Sequence, residues 1–227
     1  VCYPGSVVED FDKNTREITL KSDADLIPGV LYNHGGYGEH LGGDLETTCI
    51  ALAKLGAVAW AEKRWDVSPI TGGSPNHEDQ VKTALDDLRA EEIVDKDNIV
   101  IMGFSRGAML TVTLATIDPS LYKAAIFMSP ADGDSEYDAW DDGAETPLNG
   151  YLDLIGDYTR EQKRDFKTKN ILMIVPNNDA FQDEHVCITD FILETLKSSG
   201  HSLRSLNGEV EESTGTVDYP GQTGCGG

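Results

Sequence analysis

The chain has 227 residues, 39% of them apolar, with 18 basic against 40 acidic side chains and a formal net charge of −22. That length and apolar content exclude a small disulfide scaffold and a disordered chain, and point to a single α/β domain spanning 1–227. The negative charge repels a nucleic-acid backbone over most of the surface. No apolar run approaches the roughly 18 to 20 residues of a spanning helix, so neither nucleic acid nor a membrane span is expected.

In chain order, residues 7–10 and 16–20 read as an antiparallel edge pair. Short apolar runs follow at 29–33 (GVLYN), 57–61 (AVAWA), 98–102 (NIVIM), 123–128 (KAAIFM) and 170–175 (NILMIV), the pattern of a mostly parallel central sheet. Between them lie helical spacings. Leu45, Thr48, Cys49, Leu52 and Ala53 form one apolar stripe, with Asp44 as N-cap and Gly56 as stop. Val81, Ala84, Leu85 and Leu88 form a second; Val186, Phe191, Ile192, Thr195 and Leu196 form a third that stops at Gly200. The segment through Ala108, Leu110, Val112 and Leu114 is apolar nearly all round and reads as a buried helix. A last core strand is expected at 201–206.

One stretch breaks the alternation. Asp132, Asp134, Glu136, Asp138, Asp141, Asp142 and Glu145 crowd a region after the sixth strand, read as a small acidic cap or insertion over 131–165. Tyr137, Trp140 and Tyr151 are its candidates to face a pocket, or else aromatics packed beneath a solvated loop. None of the four cysteines forms a CxxC pair, so zinc-ribbon and thioredoxin-like sites lack support. The expected bridges are Cys2 with Cys49 and Cys187 with Cys225, because the N-terminal segment and the tail have little else to hold them. Together with a start at Val1 that reads as processed, this suits a secreted or extracytoplasmic protein; buried thiols in a cytoplasmic one are the alternative.

The strongest local signal is Gly103-Phe104-Ser105-Arg106-Gly107, a GxSxG between the run NIVIM and the buried helix. The bare pentapeptide is weak, whereas its strand–turn–helix setting is selective. A serine there projects its hydroxyl at the carboxyl edge of the sheet, and the helix behind it favours developing negative charge. A second element, His34-Gly35-Gly36, directly follows GVLYN.

With these two motifs the sequence resembles the α/β-hydrolase family, nearest to its dienelactone-hydrolase-like and prolyl-oligopeptidase-like branches, over about residues 7–206. The resemblance implies an α/β-hydrolase fold with Ser105 as nucleophile and an oxyanion hole built from the backbone N–H groups of Arg106 and Tyr37. His34, Gly35 and Gly36 are its supporting turn. Asp179, following NILMIV, takes the place of the family's acid, with Asp183 and Glu184 as nearby competitors.

The expected base is the difficulty. The family order is serine, acid, histidine, and no histidine follows 201–206. His34 reads as a structural member of its turn, and His40 and His77 as solvated loop residues. His185 and His201 are the alternative bases, neither where the resemblance needs one. The expectation is therefore that the natural polypeptide continues past Gly227 and carries the histidine within its next residues. The implied function is a serine esterase that cleaves a small-molecule carboxylic ester through an acyl-enzyme, without metal or cofactor. A serine peptidase of the same fold, or a binding protein lacking the base, are the alternatives.

Overall fold

The computed structural model describes residues 1–37, 40–42, 44–64, 77–130, 157–174, 192 and 196–201. Asp179, His185, Cys187, Cys225, Tyr137, Trp140, Tyr151 and most of the acidic insertion lie outside the described residues.

Among the described residues five parallel strands form the central sheet in the order β6-β3-β7-β8-β9. These are β3 (Ile27–Asn33), β6 (Val58–Ala61), β7 (Val94–Phe104), β8 (Ala124–Met128) and β9 (Asn170–Ile174). Each apolar run read from the sequence marks one of them; 29–33 and 98–102 fall inside β3 and β7, while 57–61, 123–128 and 170–175 each extend one residue past β6, β8 and β9. β7 starts four residues early because Val94 and Asp95 pair with Ile27 and Pro28 across a register shift before the regular ladder begins at Gly29 and Ile99. β1 (Val8–Phe11) and β2 (Ile18–Leu20) make the separate antiparallel pair. β4 (Gly35–Tyr37) and β5 (His40–Gly42) form a short hairpin directly after β3, so His40 belongs to a strand and not to a loop.

Helices flank the sheet. α1 (Leu45–Lys54) begins where Asp44 accepts the Thr47 N–H at 3.0 Å, and that donor holds the Asp44 carboxyl below its ordinary range. Gly56, at φ 96°, turns the chain out of α1. α2 (His77–Ala90) opens at His77, four residues before the apolar stripe, and packs on β3 and β7 through Val81, Leu85 and Leu88, all buried. α3 (Arg106–Ile117) packs on β7 and β8 and is buried on every side from Leu110 to Thr116. Leu31, Val58, Ile99, Ile101 and Phe127 supply the sheet side of this core, each removing roughly 1.5–3 kcal/mol worth of apolar surface from water. α4 (Arg160–Phe166) starts with a capping box between Thr159 and Gln162.

The N-terminal segment adds to the sheet. Cys2 exchanges main-chain hydrogen bonds with Ala59 of β6, at 2.8 and 2.9 Å, and is joined to Cys49 of α1 by a disulfide with Cα atoms 5.7 Å apart. His201 itself is not in a strand, and residues 202–206, the rest of the expected last strand, lie outside the described residues. Gly200, at φ 89°, ends a helix, with its N–H on the Lys197 carbonyl and the His201 N–H on that of Leu196, both at 3.0 Å.

Candidate active site

The strand order places a crevice. From β3 the chain crosses to β6 on one side, and from β7 it crosses to β8 on the other, so the segments leaving the carboxyl ends of β3 and β7 diverge there. Asn33 pairs with Gly103 at the end of that ladder, which brings the segment His34-Gly35 beside Phe104-Ser105. The contact is close: a Cβ on Gly35 would lie 2.9 Å from Phe104 Cδ1 and 3.1 Å from Ser105 Cβ.

Ser105 is the N-cap of α3, with φ 54° and ψ −124°, and makes no side-chain capping bond. A non-glycine residue in that region is strained by about 1–3 kcal/mol and persists only where its surroundings impose it. They do so here. The Ser105 N–H is held by the Met128 carbonyl at 2.9 Å, while its own carbonyl accepts from Ala108 at 2.8 Å and Met109 at 3.2 Å. A Cβ at Gly103 would strike the Gly107 carbonyl, and one at Gly107 would strike the carbonyls of Asn33 and His34. The two glycines thus let β7, α3 and the end of β3 cross in contact. Thr111 Oγ1 ties the crossing together, accepting from Asn33 Nδ2 at 3.0 Å and donating to the Gly107 carbonyl at 2.8 Å. Arg106 is the first residue of α3, where an α-helix leaves the N–H without an intrahelical acceptor.

His34 is fully buried and both ring nitrogens are engaged. Nε2 accepts the Arg64 backbone N–H at 3.1 Å, which makes Nδ1 the protonated nitrogen and donor to the Gly35 carbonyl at 2.6 Å. This imidazole is a structural member of its turn. Tyr37 stands opposite His40 in the antiparallel β4–β5 ladder.

Arg64, three residues past β6, went unnoticed in the sequence. It is 3% exposed, and its Nη2 donates to the His34 carbonyl and, at 3.1 Å, to that of Gly36. Burial, reinforced by the Arg106 charge, lowers its pKa to about 10. The signal that could have found it is register: Tyr32 pairs with Ala61, so the residues just beyond each strand end side by side.

His201 lies elsewhere. Its ring meets that of Phe166 edge-on at 4.6 Å, Phe166 meets Tyr158 at 5.7 Å, and the Tyr158 hydroxyl donates to the carbonyl of Thr116, near the end of α3 remote from Ser105. Phe166 also precedes β9 at its amino end. His201 is therefore corrected as a candidate base: it sits at the opposite edge of the sheet. Asp179 and His185 cannot be placed against Ser105, being outside the described residues. Among the described residues no group of His, Cys, Asp and Glu is arranged to hold a metal ion.

Residues 72–179 match the prolyl oligopeptidase family, a span that includes Ser105 and ends at Asp179. No curated protein matches the sequence. Among solved structures, a fungal esterase from Rhizomucor miehei superposes with a TM-score of 0.50 at 16% identity, covering 86% of this chain and 70% of its own. Carboxyl esterase 2 from Tuber melanosporum gives 0.52 at 20% identity, over 80% of this chain and 68% of its own. An acylaminoacyl peptidase gives 0.52 at 19% identity, over 82% of this chain and 33% of its own. At these identities the likeness is one of fold.

Proposed function

From a chain with the α/β-hydrolase fold, carrying a stretch of the prolyl oligopeptidase family, we propose a serine hydrolase that cleaves a small carboxylic ester through an acyl-enzyme. The observation that carries this reading is the backbone of Ser105, at φ 54° and ψ −124° on a strand-to-helix turn with the Gly35 turn packed against it. Strain of this kind needs a use, and projecting a hydroxyl from the switch point of the sheet is one.

In the proposed reaction Ser105 Oγ attacks the ester carbonyl and its proton passes to a base. The tetrahedral oxyanion is held by the Arg106 N–H and by the turn after His34. Gly36 N–H serves there in place of the expected Tyr37, which stands opposite His40 in the β4–β5 ladder. Collapse expels the alcohol, and water then releases the acyl group. Asp179 is assigned the orienting carboxylate. Neither of the two histidines with described side chains is assigned the base, since His34 uses both ring nitrogens and His201 lies at the far edge. Phe104, exposed beside Ser105, offers apolar surface to an acyl chain. A secreted or extracytoplasmic location remains part of the proposal, supported by the Cys2–Cys49 bridge.

Labelling of the natural full-length polypeptide by a fluorophosphonate tests the reading: rapid modification that is lost in Ser105→Ala is expected, and an unlabelled full-length wild type overturns it. A serine peptidase is the second reading, favoured by the family match. Hydrolysis of short peptide amides at rates matching those of esters would select it.

A further inference from the structure

Resting on the serine-hydrolase reading, we propose that Arg64 is a positioning residue that clamps the oxyanion turn by its carbonyls, leaving the Gly36 N–H aimed at the reacting carbonyl. Three successive peptide oxygens are involved. Those of His34 and Gly36 accept from Arg64 Nη2, and that of Gly35 accepts from His34 Nδ1. The two donor atoms lie 3.4 Å apart, so all three carbonyls are gathered at one place. These peptides are trans, and a trans unit sets its N–H opposite its C=O. Holding the oxygens of His34, Gly35 and Gly36 therefore turns the N–H groups of Gly35, Gly36 and Tyr37 away from the Arg64–His34 pair. Of these, the Gly36 N–H is the one presented to an anion, because Gly35 and Tyr37 are paired with Gly42 and His40 in the β4–β5 ladder.

Gly36 has φ 66°, so the turn is not a regular strand that the sheet alone would hold in shape. The clamp is reciprocal, since the Arg64 backbone N–H fixes the His34 ring that holds the middle carbonyl. Among the described residues, the Arg64 guanidinium faces main-chain oxygens instead of a carboxylate. A buried charge spent on carbonyl oxygens polarises their peptide units and makes the opposite N–H groups better donors.

The test compares wild type, Arg64→Lys and Arg64→Met in the natural full-length polypeptide. Two measurements are made: kcat and KM on a short activated ester, and deuterium exchange of the peptide covering residues 33–37. In Arg64→Met, kcat is expected to fall by about a hundredfold with KM held within about twofold, the signature of a lost transition-state interaction. Arg64→Lys, which keeps one charged donor, recovers roughly tenfold of that loss. Exchange in the turn should quicken in the same order. A kcat for Arg64→Met within about threefold of wild type, a rise in KM alone, or unchanged exchange at 33–37 would overturn the proposal. Unfolding of both variants would also overturn it, assigning Arg64 to the fold. If the full-length wild type neither hydrolyses esters nor reacts with a fluorophosphonate, the serine-hydrolase reading fails, while the exchange series still decides whether Arg64 holds the turn.

Discussion

The two ends of α3 are finished differently. At its carboxyl end the last carbonyls meet donors from the protein itself: the Tyr122 hydroxyl reaches the Ala115 oxygen at 3.1 Å, and the Tyr158 hydroxyl reaches that of Thr116. Phe166 and His201 pack over that end, and burial pushes the Tyr122 hydroxyl's pKa well up. At the amino end the cap is Ser105, strained and without a side-chain capping bond, with glycine contacts on both sides. One end is closed for stability; the other spends stability on presenting a hydroxyl. Where a helix carries such a contrast, function belongs to the end that breaks the local rules.

Substitutions can break this contrast. The largest stability loss is expected at Gly107→Ala, because the new methyl meets the Asn33 and His34 backbone, which cannot swing aside. A cost at the upper end of about 1–3 kcal/mol is expected in denaturant unfolding, with fluorophosphonate labelling lost as well. Gly56→Ala is its control, since nothing lies within 4 Å and only φ 96° opposes it. At the closed end, Tyr158→Phe strands a buried carbonyl and should lower stability by about 1–2 kcal/mol while leaving kcat unchanged. At the open end the sign reverses. Ser105→Gly relieves the positive φ and should gain up to about 1 kcal/mol in thermal unfolding as labelling disappears. A loss of stability there would remove the argument from strain.

The smallest effect concerns pH. Burial lowers the pKa of His201 below the ordinary 6.5. Between the lowered value and 6.5 the folded protein binds fewer protons than the unfolded chain, so this contribution rises with pH and is lost on acidification through that window. His201→Gln should therefore flatten the fall in unfolding midpoint between neutral and mildly acidic buffer. Parallel curves for the two proteins would place the ring in water.

The open end was the more legible in sequence. GxSxG and His34-Gly35-Gly36 are local patterns whose strands are marked by apolar runs, so their convergence needs only the order of β3 and β7. Arg64 was illegible for a physical reason. An arginine in a polar stretch after a strand reads as solvated, and only the pairing of β6 with β3 brings it to the His34 turn. His201 misled because Gly200 can end a helix or precede a strand, and hydrogen bonds to Lys197 and Leu196 decide between them. Asp44, by contrast, capped α1 as its sequence position required.

The pairing of Cys2 with Ala59 has a consequence for how copies of the chain meet. β6 is the last strand on its side of the described sheet and is only four residues long. An uncovered edge offers its unpaired amides and carbonyls to the strands of other molecules, a route to aggregation. Cys2 occupies both bonding groups of Ala59 in the middle of that edge, and its link to Cys49 anchors the cover to α1. Reduction would free the cover and expose a template for intermolecular strand addition, so the oxidised form is the one protected against self-association along β6.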